Sequence, residues 1–530
     1  MPRDRAIPAL LATFVVALGS TACARRPAQA PPHPVIVIGV DGGEWSVVRA
    51  LWKEGRLPNL RRLAERGVTA DLETAYGISP VIWTTIATGR EPRDHGVTDF
   101  VVSGPSGNVP VSSSVRRVPA LWNLMGFVGR RVAVLGWYVT WPAEAVEGVM
   151  ITDNVMRTEL EDRVHPAELG PRIDALLDEI RALPDEAIHP FGVALTDRRA
   201  TRDLLVERLA PEMAAEGYDL LLVYFRAIDH LSHFHWKYWQ PGAFEGIDAE
   251  ELAERRDWIP AGYERFDAAV GEILATAPDA NVLVVSDHGF HAVPERYRIY
   301  LDVDTLLHHL GYLERNEQGV DLEATRAYSY GTARSSQTQT VQLKLAAGEI
   351  PTDTPPGGRG AALKSLRERF VGDMLSVSYE GGDPVFSVRA PDERPGIVKL
   401  DVRQHGFSPV VVASGRRLTD VISGFESING GHVPDKAGLF IAAGPDILAG
   451  SDATGISIFD MTPTVLYALG LPVAEDFAGA ARLDIFRPAF RRAHPLRTIE
   501  TWGRAREGVT RESEADAEIL EELRSLGYLQ

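Results

Sequence analysis

Five stretches of the chain hold a near-continuous apolar core. They are VIVIGVD (35–41), RRVAVLGW (130–137), DLLLVYFRAID (219–229), NVLVVSDHG (281–289) and GLFIAAGPD (438–446). Runs this short and uninterrupted fit strands covered on both faces, because a strand with one wet face alternates apolar and polar. Between them, apolar residues recur at helical spacing in Asn59–Gly67, Leu121–Gly129, Thr201–Gly217 and Tyr263–Ala277. Alternation of such strands and helices predicts an α/β fold, a mostly parallel central sheet with helices on both faces. In sheets of this kind, ligands collect beyond the carboxyl ends of the strands. Three of the five runs lead into acidic residues there: Asp41, Asp229 and Asp287.

The rhythm breaks over 306–400. That stretch holds the Pro/Gly-rich EIPTDTPPGGRG (349–360), a charged helical piece (Ala362–Phe370) and few strong apolar runs. It reads as an inserted cap or lid. The expected organisation is a catalytic core in two parts, 34–305 and 401–485, split by the cap. FDMTPTVLYALGL (459–471) returns to core character, and a tail (486–530) ends in an amphipathic helix within SEADAEILEELRSLGYL.

The first residues add a location. Arg3 and Arg5 precede an apolar stretch from Ile7 to about Leu18, then small residues and Cys23, the one cysteine of the chain. The stretch is too short to span a bilayer, so 1–23 reads as an export signal of lipoprotein type, with 24–33 as a tether. The expected location is the bacterial cell envelope, lipid-anchored in the periplasm, or the secreted fraction; contact with membrane is expected only through that anchor. A net charge of −18 over 530 residues, without a long Lys/Arg run, argues against a nucleic-acid polymer as partner. A small anionic substrate stays compatible, because a bound metal reverses the local sign.

Asp229 and His233 are four apart in AIDHLSHFHW, a spacing that puts both on one face of a helix. Asp287 and His288 are adjacent at the end of a strand, and His432 follows two glycines in ESINGGHVPDKAG. With Asp41, these make three carboxylates and three imidazoles from four segments. The set suits zinc, and manganese as well. Ser79, in YGISPVIWTTIATGREPRDHG (76–96), opens a helical run. A hydroxyl there either caps the helix or, where the helix dipole favours negative charge, serves as a nucleophile.

Strand-Asp, Ser/Thr-helix-TG-PxxHG, D-x-x-x-H, strand-DHG and a late GGH together resemble the alkaline phosphatase superfamily, in particular its type I phosphodiesterase/nucleotide pyrophosphatase-like branch. The resemblance spans about 34–305 and 398–480. It implies two divalent metal ions, zinc being the expected ion. Asp229, His233 and His432 would hold one; Asp41, Asp287 and His288, together with Ser79, would hold the other. It further implies a Ser79 nucleophile, a covalent intermediate, a small phosphoester substrate and a structural His95. One position departs. The branch carries an Asn about twenty residues after the nucleophile, where this chain has Thr98-Asp99-Phe100. Ionised Asp99 cannot donate the corresponding hydrogen bond, and Phe100 cannot donate at all.

The expected function is therefore two-metal hydrolysis of phosphoesters, phosphodiesters first. The alternatives are a phosphomonoesterase, a phosphonate hydrolase, a phosphoryl-group transferase acting on an envelope substrate, and a non-enzymatic lipoprotein with a degenerate binding fold. A sulfatase would carry Cys/Ser-x-Pro-x-Arg, whereas Ser79 is followed directly by Pro80.

Overall fold

A computed structural model describes residues 33–105, 107–184, 198–316, 319–329, 338–346, 358–389, 396–432, 436–503 and 507–525. The expected export signal, Cys23, nearly all of the tether and most of the 349–360 segment lie outside the described residues. No helix among the described residues is long and apolar enough to cross a membrane.

Ten strands form the central sheet. In chain order they are β1 (Val35–Val40), β2 (Gly67–Glu73), β3 (Val132–Leu135), β4 (Gly148–Ile151), β5 (Val164–His165), β6 (Leu220–Phe225), β7 (Asn281–Val285), β8 (Gly438–Ala443), β9 (Ser451–Asp452) and β10 (Ile456–Ser457). Their spatial order is β9-β2-β8-β7-β1-β6-β3-β4-β5, with β10 also on β2. β8 and β5 run against the rest.

The period-two geometry of a strand explains the unbroken apolar runs. Ile36, Ile38 and Val40 of β1 join one core with Leu221 and Val223 of β6 and Val282 and Val284 of β7. Val35 and Val37 join the opposite core with Leu220, Leu222, Leu283 and Val285. The first face is covered by helices that include α2 (Arg198–Ala215), α3 (Ala227–Trp239) and α4 (Trp258–Thr276). The second is covered by α1 (Ser79–Thr88) and the helix Met461–Ala468. Both faces are dry, so neither set of side chains can be polar.

The antiparallel run of β8 has a consequence for the site. Its acidic end lies at the far rim, where Asp446 accepts from Asn281 Nδ2 at 2.7 Å. Its first residue, Gly438, instead meets the DHG segment, with so little room that a Cβ would sit 2.1 Å from the Ser286 carbonyl oxygen. The loop before β8, which carries His432, is thereby delivered to the end of the sheet where the acidic strands finish.

A separate apolar core lies between β7 and β8 in the chain, built from Ile299 to Ile422 and centred on Phe370, Tyr379, Phe386 and Val398. It joins the main body through a stem of two antiparallel strands, His291–Leu301 and Ile422–Gly431. His291 pairs with Gly431 at the foot of that stem.

Candidate metal centre

Strand register assembles the first half of the centre. Gly39 lies opposite Val285, and Val40 opposite Phe225. Continued past the strand ends, that register sets Asp41, Asp287 and Arg226 at one level on three adjacent strands. The backbone turns sharply after Asp41: Gly42 has φ +69°, a left-handed conformation that glycine adopts without cost. The turn lets the Gly42 N–H donate to Asp287 Oδ1 at 3.2 Å and the Gly43 N–H to Ser286 Oγ at 2.8 Å. Glu44, which sequence reasoning did not single out, then fixes the DHG loop. Its Oε2 accepts from the Phe290 N–H at 3.0 Å, and its Oε1 from the Ser46 N–H at 2.9 Å.

Asp229 and His233 share a face of α3, as their spacing demands, and both are buried. The stem strand is clamped to that helix. Asn429 donates from Nδ2 to the Phe234 carbonyl at 2.8 Å and accepts at Oδ1 from the Lys237 N–H at 2.8 Å. Gly430 approaches so closely that a Cβ would lie 2.0 Å from the Ser232 carbonyl oxygen. The Gly430 carbonyl accepts from His233 Nδ1 at 3.1 Å. Two residues on, the His432 ring stacks on His288, with centroids 3.7 Å apart and planes 14° apart.

The seven candidate residues lie near one another, but the convergent groups differ from the expected sets, with His288 in place of His233 beside Asp229 and His432. One ligand atom each from Asp41, Asp287 and His288 lies within 4.8 Å of the others, and the same holds for Asp229, His288 and His432. His233 Nε2 is 3.3 Å from Asp229 Oδ1. Ser79 is the first residue of α1, so the N-cap position falls to Ile78, which has no side chain that can cap. Ser79 Oγ lies 3.5 Å from His288 Nε2. His230 and His235, on other faces of α3, are half-buried. His95 stays in the scaffold: Nδ1 accepts from the Val97 N–H at 3.1 Å, and Nε2 faces Thr85 Oγ1 at 3.1 Å. Burial, helped by Arg116, pushes its pKa down to about 3.

The electrostatics of the centre suit a cation. His288 Nδ1 faces the Gly289 carbonyl at 3.1 Å. A carbonyl only accepts, so in the neutral ring Nδ1 carries the proton and Nε2 presents a lone pair. That lone pair lies 3.5 Å from Asp41 Oδ1 and 3.3 Å from Asp287 Oδ2. Acceptors facing acceptors at this range repel unless a positive charge, a proton or a metal ion, stands between them. The same atoms, Asp41 Oδ1 and Asp287 Oδ2, are buried without a hydrogen-bond partner, as are Asp229 Oδ1 and His432 Nδ1. Leaving buried polar atoms unmatched costs roughly 1–3 kcal/mol each, more when charged.

The carboxylates feel both burial and one another. Burial and then the Asp229 charge hold Asp41 above the usual carboxylate range. Burial and then Asp41 raise Asp287 well above it. Burial alone would raise Asp229 too, but the charge and hydrogen bond of His233 lead the effects that outweigh it and bring its pKa down. Burial, with its imidazole neighbours, lowers His432 to about 2, which keeps that ring neutral and able to offer a lone pair. Carboxylate and neutral imidazole atoms, orphaned and convergent, are the donor set of a divalent transition metal, and the residues fit such an ion.

A mostly parallel α/β sheet with this cluster beyond its strand ends defines a class of phosphoester hydrolases. The family described as type I phosphodiesterase / nucleotide pyrophosphatase matches residues 35–368, a span that contains every candidate ligand except His432. The chain belongs to that family, within the alkaline phosphatase superfamily, and is a phosphoester hydrolase of a metal-dependent kind. Murine ectonucleotide pyrophosphatase/phosphodiesterase 5, in an inactive form bound to AMP, is 14% identical with a TM-score of 0.41, over 86% of this chain and 100% of that one. The human counterpart is 14% identical with a TM-score of 0.40 over the same shares. Phosphonoacetate hydrolase from Sinorhizobium meliloti, in complex with phosphonoformate, is 17% identical with a TM-score of 0.42, over 83% and 95%. No curated protein matches the sequence.

Proposed function

We propose that the protein is a phosphodiesterase that works with two divalent ions and a serine nucleophile. Asp41, Asp287 and His288, with Ser79, would hold one ion; Asp229, His233 and His432 would hold the other. Zinc fits this donor set best, and manganese is compatible with it. The observation that carries the reading is the cluster of buried lone-pair atoms 3.3–3.5 Å apart, with Ser79 Oγ beside them. Bound ions would supply Lewis-acid stabilisation of the attacking and leaving oxygens and favour ionised Ser79.

The chain's own residues do the rest. The N-terminus of α1 directs its positive dipole end toward charge developing at Ser79. Ser79 Oγ forms a bond to phosphorus as the bond to the leaving oxygen breaks. Water then cleaves the phosphorylated serine and restores the hydroxyl. Gly289 and Gly430 carbonyls hold His288 and His233 in the tautomer that turns Nε2 to the centre. The reading includes export through the 1–23 segment, attachment at Cys23 and a small phosphoester as substrate.

The test is metal analysis of purified protein alongside hydrolysis of bis-p-nitrophenyl and mono-p-nitrophenyl phosphate. Two divalent ions per chain and faster diester cleavage are expected. One ion or none at full activity, or a preference for the monoester, overturns the proposal.

A further inference from the structure

A pocket of about 60 Å³ lies beside the centre, among Phe100, Tyr138, Arg202, Arg226, Ile519 and Leu523. Three observations tie it to the reacting position. Arg226 follows Phe225, whose carbonyl accepts from the Asp41 N–H at 2.8 Å, so it leaves its strand level with Asp41. Tyr138 packs edge-on against Tyr224 at 6.0 Å, and Tyr224 donates its hydroxyl to Asp41 Oδ2. Phe100 falls in the segment where the family pattern expects an amide donor to the substrate, and it is buried in this pocket wall.

The lining is two-sided. The Arg226 guanidinium lies 4.9 Å over the Tyr138 ring and that of Arg202 5.1 Å over the Tyr224 ring. Arg202 is 2% exposed, and its Nε is buried without a hydrogen-bond partner. Arg202 Nη2 donates to Asp203 Oδ1 at 3.2 Å, so Arg202 is already ion-paired, and Asp153, also in the lining, is occupied by backbone. Asp153 accepts from the Val139, Thr140 and Trp141 N–H groups at 2.9, 3.2 and 3.0 Å. Asp203 accepts from the Arg226 and Ala227 N–H groups at 2.8 and 2.7 Å, which fixes where Arg226 emerges. The opposite wall is apolar and comes from the C-terminal helix α5 (Asp516–Ser525). Glu518 of α5 pairs with buried Arg157 at 3.0 Å, and nearby Arg511 pairs with Asp162 at 3.1 Å.

We propose that this pocket is a substrate subsite that takes an anionic group, carried on a short apolar arm, from the non-reacting ester substituent of a phosphodiester. Arg226 faces the negative end, and Ile519 and Leu523 of the tail helix pack the arm. The proposal rests on the phosphodiesterase reading and narrows its substrate class. It assigns the tail helix to the specificity apparatus.

The probes are three p-nitrophenyl phosphodiesters whose second group is carboxypropyl, p-nitrophenyl or choline. For the wild-type protein, kcat/KM for the carboxypropyl ester should exceed that for the choline ester at least about tenfold, equivalent to about 1.4 kcal/mol. Arg226→Gln should bring the two within about twofold while metal content stays at the wild-type level, and Arg226→Lys should restore part of the preference. Ile519→Glu, away from the reacting atoms, should raise KM for the carboxypropyl ester and spare the choline ester. No preference in the wild type, or its survival in Arg226→Gln, overturns the subsite. Calorimetric titration of the carboxypropyl and choline esters into Ser79→Ala protein reads binding without turnover. A carboxypropyl preference there, with no ester hydrolysed by the wild type, upholds the subsite and overturns the hydrolase reading; equal binding overturns the subsite alone.

Discussion

Ser79 is the residue on which the chemistry and its plainest rival part company. A serine at a helix start is ordinarily a cap, but here Ile78 holds the cap position, and Ser79, one residue inside, turns its oxygen toward His288 Nε2. Ser79→Ala should therefore leave the fold and metal content intact while kcat falls by at least about a thousandfold, as loss of a nucleophile does; steady-state kinetics beside metal analysis checks it. Asp287→Ala removes one of the ligand atoms around His288. Metal content measured after dialysis should fall by about one ion per chain. His95 gives a pH prediction. Its folded pKa of about 3 lies below the unfolded value of 6.5, so the unfolded chain binds the extra proton between those values. Stability is then fully present above the upper value and lost as pH falls, at up to about 1.4 kcal/mol per pH unit. Urea titrations at pH 7 and pH 5 should show a smaller loss for His95→Asn than for wild type. At this scale the sequence was most readable where chemistry is concentrated, since Asp-His pairs at strand ends are hard to explain otherwise. Glu44 and Arg226 were not singled out. One looks like an ordinary helix-start acid and the other like the polar end of an apolar run, and each acquires meaning only from a neighbour distant in the chain.

Elements carry the positioning. The strands could be read because both faces of the sheet are dry, which erases alternation and leaves solid apolar runs. The direction of β8 could not be read, because apolar content is the same whichever way a strand points; only the pairing with β7 and β2 fixes it. That direction brings His432 to the centre. The clamp between α3 and the stem is equally silent in sequence, since Asn429 sits in an unremarkable SINGG segment. Its side-chain amide bonds to α3 backbone on both sides, fully buried. Asn429→Ala should cost about 1–3 kcal/mol in denaturant unfolding, the penalty for stranding buried backbone groups. It should also weaken retention of one metal ion, because His233 is oriented by the next residue, Gly430. Unchanged stability with unchanged metal would show that the clamp is idle.

For the whole molecule, the centre is a junction. Its candidate ligands come from β1, α3, the end of β7 and the approach to β8, separated by up to several hundred residues. An ion that binds only the assembled state stabilises it by about 4 kcal/mol when present at a thousand times its dissociation constant. Chelation should lower the thermal midpoint by several degrees, and added zinc should restore it; a midpoint indifferent to both would separate the cluster from metal binding. Such long-range convergence is why a sequence could offer the ligand set but not its spacing.

His288 and His432, ring upon ring, stand just before and just after the excursion that builds the second apolar core. That excursion leaves and returns through one narrow doorway, His291 paired with Gly431. Any rocking of the outer body about this pairing would turn three residues along the chain from His288 and one from His432. A molecule gripping that outer body at its far end would be felt, through this lever, by the rings themselves.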